Sequence, residues 1–331
     1  MSLKILVVTA MYPRAENEGS GAFVMHQVHC LRALGHTVDV LDFPGYRSKI
    51  EYFKAAVEVF RRTRQEQYSV VHAHYGVTGL PALFRTSTPL VISLHGSDAL
   101  VGWIEPIISR FVCKFADATI VVSTKIARRI PGEIIPCGVD LAVFEPKPSA
   151  EARQRLGLSL TRRYVLFPFS PDRGVKRFDL ASAAVQKLRA EGGDVELLIV
   201  SRVPSHEMPW YYSAADVMVL CSDSEGSPTS VKEALACNLP VVSTDVGDVK
   251  EIFEGISGVE IVGQTADSLA SALKRVILRP PNQVSNGREA MQRYSQKKTV
   301  EAIVRVYRSV IERRARLQEK PLEAVGTPSS K

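Results

Sequence analysis

Short, unbroken apolar runs recur along the chain, separated by stretches of helical spacing. Lys4-Ile5-Leu6-Val7-Val8-Thr9-Ala10 is the first, and Ser69 to His74, Leu90 to His95, Ala118 to Ser123 and Glu133 to Pro136 follow it. Runs of this kind are strands buried on both faces, as in parallel sheets. Between them, Phe23, Val24, Val28 and Leu31 share one side of a helix that Gly35-His36 ends before a strand over Thr37 to Asp42. Regular alternation of strand and helix predicts an α/β fold with a doubly wound parallel sheet, whose ligands gather beyond the carboxyl ends of the strands.

Gly and Pro punctuate Pro136 to Pro148, and the alternation restarts after them with Tyr164 to Phe169, Val195 to Val200, Asp216 to Cys221 and Val259 to Val262. From there to about Leu317 the spacing is helical. At 331 residues the chain is long for one core. Two Rossmann-like domains are expected, residues 1–145 and 146–295, with a helix over 296–318 and a polar, disordered tail over 319–331.

One stretch carries most of the candidate chemistry. Ser224-Glu225-Gly226-Ser227-Pro228-Thr229-Ser230 follows the Asp216 to Cys221 strand and opens a helix, with Ser227 expected as N-cap and Pro228 at the first helical position. The free N–H groups of Gly226, Ser227, Thr229 and Ser230 at a positive helix end form a seat for phosphate, so a phosphorylated ligand is implied. At roughly 100° per residue, Val231, Ala234, Leu235 and Asn238 fall on one face, and Thr229, Ser230, Glu233, Ala236 and Cys237 on the other. Glu233 leans back toward the phosphate seat, near Glu225. Two acceptors there suit the hydroxyls of a ribose and a sugar.

Charge sharpens this without deciding it. A net charge of +7 and a pI of about 9.1 favour acidic partners: nucleotides, anionic lipid headgroups or nucleic acid. The basic residues are scattered without a nucleic-acid-binding motif, so that partner is set aside. Arg47 to Arg64 mixes Ile50, Tyr52, Phe53, Val57 and Phe60 with six Arg and Lys residues. It reads either as a basic amphipathic helix lying on an anionic membrane or as an outer helix with a solvated face. Met1 runs directly into the first strand and no run of about 18 apolar residues exists, so a soluble or peripheral protein is expected. Five cysteines without paired or metal-type spacing fit a reducing cytosol.

Other candidates sit at strand ends. Asp42 lies where an acidic residue would hold an NAD ribose, but Gly19-Ser20-Gly21-Ala22-Phe23-Val24 lacks the third glycine. Gly19 and Gly21 are read instead as letting backbone approach a ligand in a cleft. His72 and His74 share a strand face without a third ligand nearby in sequence, and no metal site is expected. Arg173 and Lys176, at a strand-to-helix junction, could neutralise a diphosphate.

Glu225 and Glu233, with seven residues between them in a strand, Gly-Ser-Pro, helix sequence, resemble the signature of the family-4 retaining glycosyltransferases. The likeness continues through Ala236 to Asp248. It implies the GT-B fold, two Rossmann-like domains facing a cleft, here with a shortened second domain. It further implies that Glu225 and His95 contact the donor sugar and Glu233 the ribose. By the same resemblance Lys176 balances the diphosphate, the Gly19–Gly21 loop faces donor and acceptor, and the loop carrying Val203 holds the nucleobase.

Three features depart from the family pattern. Cys137 stands where Asn is usual, a change expected to carry no chemistry. The positions five and six before Lys176 are Pro171 and Ser170 rather than Arg, leaving Arg173 as the substitute cation. A strand and helix are missing before Met208. The activity implied is a metal-independent, cofactor-free hexosyltransferase moving a sugar from a UDP- or GDP-sugar to a glycan or lipid-linked acceptor. Its expected setting is bacterial cell-surface polysaccharide synthesis, in the cytoplasm or peripherally on the inner membrane face. A non-catalytic nucleotide-sugar or polysaccharide-binding module is the alternative.

Overall fold

The computed structural model describes residues 2–14, 21–45, 47–278 and 285–319. The first domain runs β1 (Lys4–Thr9), α1 (Ala22–Ala33), β2 (Thr37–Asp42), α2 (Lys49–Gln65), β3 (Val70–His74), α3 (Gly79–Ala82) and β4 (Leu90–Leu94). It continues through α4 (Ser97–Leu100), α5 (Ile104–Cys113), β5 (Ala118–Val121), α6 (Thr124–Ala127) and β6 (Glu133–Ile134). After α7 (Ser149–Arg155), the second runs β7 (Arg163–Phe167), α8 (Phe178–Ala190), β8 (Val195–Ile199), α9 (Met208–Ala214), β9 (Val217–Leu220) and α10 (Thr229–Ala236). Then come β10 (Val241–Thr244), α11 (Val249–Phe253), β11 (Val259–Val262), α12 (Ala266–Ile277), α13 (Gly287–Met291) and α14 (Gln296–Glu319).

Both sheets are parallel, ordered β2-β1-β3-β4-β5-β6 and β11-β10-β9-β7-β8. Each domain's first strand lies inside its sheet, between strands reached by crossovers in opposite directions. Crevices therefore open at the carboxyl ends of β1 and β3 in one domain and of β7 and β9 in the other. β1 is Ile-Leu-Val-Val because both its faces are covered: Leu6 and Val8 pack under the α2, α3 and α5 layer, while Ile5 and Val7 pack under α1 and α14.

The helical stretch after β11 is broken rather than continuous. α14 crosses to the first domain, where Val300, Ile303, Tyr307 and Val310 join the core beside Ile5 and Val28. Arg314 pairs with Asp117 of that domain at 2.7 Å. The tail from 320 onward lies outside the described residues.

Candidate active site

The β9–α10 segment lies at the second domain's switch point. The helix begins at Thr229 with Pro228 at the cap position, so Ser227 is not the N-cap. A residue before proline is held out of helical geometry, and the Ser227 hydroxyl is used elsewhere: it donates to Asp248 Oδ2 at 2.6 Å. The N–H groups of Gly226, Ser227, Thr229 and Ser230 find no acceptor among the described residues, and Thr229 and Ser230 are half-buried. The face of α10 that carries Glu233 is partly covered, because Ala236 and Cys237 are buried; Arg288 donates to the Ala236 carbonyl at 3.2 Å.

Glu233 accepts a hydrogen bond from Tyr212 at 2.8 Å. Burial pushes its carboxyl up to about 7, with Tyr212 and Thr229 pulling the other way. Glu225 meets Lys176 at 2.5 Å, and the Lys176 ammonium sits 4.1 Å from the centre of the Phe169 ring. Burial lowers the Lys176 pKa while Glu225 raises it. Arg173, three residues earlier, is exposed, and its guanidinium has no side-chain partner among the described residues. Its charge acts on Lys176 and on Tyr75 of the other domain. Asp223 is already paired, with Arg177 at 3.0 Å and Gln264 at 2.8 Å. Val203 is half-buried against the second-domain core, on a loop whose Ser205 reaches His26 at 3.2 Å.

The first domain contributes a wall of aromatic and imidazole groups. His95 Nε2 faces His74 Nδ1 at 3.0 Å, and His95 Nδ1 faces the Cys137 thiol at 3.9 Å. Phe23 and Tyr75 close on the ring, with centroids at 4.7 and 4.9 Å. Behind them, Gln27 bridges His74 Nε2 at 3.3 Å and His72 Nδ1 at 3.4 Å. His72 also meets Tyr307 of α14 at 2.6 Å and Ser93 at 2.7 Å. Burial drives His74 down to about 3 and holds His72 and His95 well below the usual range, so all three are neutral at pH 7. With the Gln27 amide donating to His74 Nε2, His74 donates from Nδ1 to His95, and His95 carries its proton on Nδ1, toward Cys137. The His72–His74 pair thus sits in a hydrogen-bonded chain. Among the described residues, no three His, Cys, Asp or Glu side chains converge as metal ligands.

The two halves touch through glycines. A Cβ on Gly226 would lie 1.9 Å from the His95 carbonyl oxygen, and one on Gly96, at φ 132°, would lie 2.8 Å from Gly226 N. Asp98 fixes the other side of this contact, accepting from the N–H groups of Gly76, His95 and Gly96. Gly21 opens α1 at φ 72°, but the space its hydrogen leaves is taken by the Met11 carbonyl oxygen, 2.2 Å from where a Cβ would lie. The sequence reading gave that space to a ligand. Gly19 lies outside the described residues. Asp42 receives a bidentate pair from Arg14 at 2.6 and 2.8 Å, which occupies the carboxylate an NAD ribose would need.

Sequence reasoning missed Lys232. Fully buried on α10, it donates to the Cys137 carbonyl at 2.8 Å, to the Ser227 hydroxyl, and to Asp248 at 3.4 Å. One cation therefore ties the phosphate-type loop to the interdomain segment. No local signal marked it: at roughly 100° per residue Lys232 falls on the flank of α10, outside the face of Val231, Ala234 and Leu235. Cys137, expected to carry no chemistry, faces His95, and Tyr212 orients Glu233; both residues have partners distant in sequence.

Two Rossmann-like domains whose carboxyl edges meet over a helix start of this kind define the GT-B class of glycosyltransferases. A family model described as Glycosyltransferase Family 4 matches residues 6–143, and one described as Glycosyl transferases group 1 matches residues 185–298. The chain belongs to the family-4 glycosyltransferases. Over 82% of its length, and 89% of the relative's, it is 28% identical to a protein of Bacillus subtilis named as a putative teichuronic acid biosynthesis glycosyltransferase, TuaC. Sucrose-phosphate synthase from Thermosynechococcus elongatus shares the fold with a TM-score of 0.75 and 21% identity, over 94% of this chain and all of that one. Anabaena HepE, solved in complex with UDP, does so at 0.69 and 16%, over 93% of this chain and all of that one.

Proposed function

We propose that this glycosyltransferase is a retaining, metal-independent hexosyltransferase that takes its sugar from a nucleotide diphosphate donor. The observation that carries the reading is the group formed by the Lys176–Glu225 pair and the exposed Arg173 beside a helix start with unused N–H groups. The diphosphate leaves with its growing charge balanced by Lys176, Arg173 and the segment from Gly226 to Ser230. Lys176 then divides its hydrogen bonds between phosphate and Glu225, freeing a Glu225 oxygen for a sugar hydroxyl. Glu233, already oriented by Tyr212, takes the ribose hydroxyls, and the loop carrying Val203 flanks the base. The His95 ring walls the sugar side with Gly21 and the start of α1 behind it. Attack by the acceptor hydroxyl on the face the diphosphate leaves retains the anomeric configuration.

The acceptor we infer is a growing glycan or a lipid-linked sugar of a cell-surface polysaccharide, met at the cytoplasmic membrane face. The naming of TuaC for teichuronic acid biosynthesis supports that setting, and the UDP held by HepE supports a nucleotide donor. No helix of the described residues is long and apolar enough to cross a membrane.

Release of nucleotide diphosphate from a panel of UDP-, GDP- and ADP-sugars tests this, with EDTA present and Glu233→Ala alongside. Release from one donor, lost in the variant and indifferent to EDTA, is expected. Product anomeric configuration by NMR checks retention. A donor that binds tightly yet is neither transferred nor hydrolysed would replace the enzyme with a nucleotide-sugar-binding module.

A further inference from the structure

We propose that the first domain docks on an anionic lipid bilayer through a bed made jointly by α2 and α5, with Trp103 at its edge nearest the cleft. α2 meets the core with Ala55, Ala56, Val59 and Thr63, together with the half-buried Tyr52. Four further apolar side chains point elsewhere: Ile50, Phe53, Val57 and Phe60 recur every three or four residues as one exposed stripe, with Phe53 71% exposed. α5 repeats the arrangement. Ser109 and Val112 face inward, while Trp103, Ile104, Ile107 and Phe111 stand in solvent, Trp103 at 73%.

Both helices cover the same side of the first sheet. α3 packs against each of them and is followed by the exposed Phe84, and the Tyr52 hydroxyl on α2 feels the charge of Glu105 on α5. The two stripes therefore lie on the same side of the first domain, on either side of α3 and Phe84. Monomers in water rarely leave an apolar patch of this extent uncovered.

Charge selects the occupant. Exposed Lys49, Lys54, Arg61 and Arg64 border the α2 stripe, and exposed Arg110 and Lys114 border that of α5. Glu51 pairs with Lys54 and Glu58 with Arg61 and Arg62, and α5 also carries the exposed Glu105, so the excess positive charge of this face rests on Lys49, Arg64, Arg110 and Lys114. A two-fold dimer through this face would set apolar stripe on stripe but cation against cation. Anionic headgroups around an apolar interior match both features.

The bed also has a direction. α2 and α5 both start after strand ends on the cleft side, and Trp103 follows His95 by only eight residues. A bilayer under the bed would lie beside the cleft mouth, where an acceptor carried in the membrane could enter. That last step rests on the proposed function; the docking does not.

Trp103 and Trp210 are the two tryptophans, so Trp210→Phe leaves Trp103 as the sole reporter. With phosphatidylcholine/phosphatidylglycerol vesicles, a blue shift of Trp103 emission and co-flotation are expected, weakened by high salt and absent with phosphatidylcholine alone. Phe53→Glu and Ile107→Glu should each cut vesicle affinity about tenfold or more while leaving donor release without vesicles unchanged. Lys49→Glu with Arg64→Glu, which touches no apolar group, should do likewise and covers the case in which an apolar variant misfolds. Unchanged binding in these variants, equal binding to both vesicle types, or no binding at all would overturn the proposal. So would a dimer in solution that the same variants dissociate without any vesicle binding. Vesicle binding without donor turnover would keep the docking and remove the enzymatic reading; turnover without vesicle binding would do the reverse.

Discussion

The two sides of the cleft solve different problems. On the first-domain side, His72, His74 and His95 are neutral: His74 bonds to His95, which faces Cys137, Gln27 bridges His74 to His72, and His72 meets Ser93 and Tyr307, with few donors or acceptors to spare. On the second-domain side, Lys176, Glu225, Arg173 and Glu233 are charged or poised to charge, and the start of α10 has N–H groups in hand. A saturated neutral network gives shape and dryness, since each unmet polar group would be costly. A charged cluster with unused capacity is suited to a ligand whose charge changes during reaction. The first side is thus the mould and the second the machinery.

The comparison breaks first at Lys232, which holds the charged side together. Lys232→Met would leave Asp248 buried without its cation, with an Oδ1 that has no partner among the described residues. Removing one member of a buried pair costs about 3–5 kcal/mol. Denaturant unfolding should show a loss of that size, partly recovered in Lys232→Met/Asp248→Asn. A neutral result would mean that the loop is supported from elsewhere.

Lys176→Ala comes next. It removes the cation proposed for the diphosphate and leaves Glu225 unpaired in a half-buried site. Nucleotide release should slow about a hundredfold to a thousandfold, the usual worth of one preorganised group facing developing charge. Arg173→Ala, exposed and without a side-chain partner, should cost less and act mainly at low salt.

The machinery was more legible in the sequence than the mould, for a physical reason. Glu225, the Gly226–Ser230 turn and Glu233 are contiguous, so strand and helix periodicity alone brings them to one end of the sheet. The parallel α/β layout follows from alternating apolar runs in the same way. The mould is assembled from Gln27, His72, His95, Cys137 and Tyr307, joined across up to 235 positions. Only the shared face of His72 and His74 could be read locally, and a shared face does not say what lies opposite it. The Ser227 cap failed because capping rules weigh near neighbours, whereas Asp248 claims that hydroxyl from 21 residues away. Lys232 stands on the flank of α10, so periodicity did not mark it as buried, and the acidic and carbonyl partners that hold it lie on other elements.

A third test separates the sides by pH. Glu233 holds its proton up to about pH 7 because burial raises its pKa in the folded state. Folding stability therefore falls as pH rises from the ordinary carboxyl range to about 7, where the folded carboxyl ionises, and donor hydroxyls would offset that cost by hydrogen bonding to the carboxylate. Donor affinity, measured as Kd or KM, should strengthen by about tenfold as pH rises through 7, the worth of about one hydrogen bond to a charged group. Glu233→Gln should flatten this dependence. His95→Asn should leave it in place, because the His95 ring stays neutral across that range.

The smallest effect is expected at the mould itself. Cys137 is a neutral thiol, its pKa pushed up to about 11 by burial, and at 3.9 Å it is a weak acceptor for His95 Nδ1. Its backbone carbonyl, which receives Lys232, is unaffected by side-chain substitution. Cys137→Ser should therefore change kcat/KM by no more than about threefold, less than one ordinary net hydrogen bond. If the His95 ring instead turns its Nδ1–H to the donor sugar, the Ser hydroxyl competes as a better acceptor, and kcat/KM should fall well beyond that range. Such a fall would move His95 from the wall into the machinery. It would also make the first domain a partner in the chemistry, so this mild substitution divides the two accounts more sharply than removal of the imidazole, which damages packing under either.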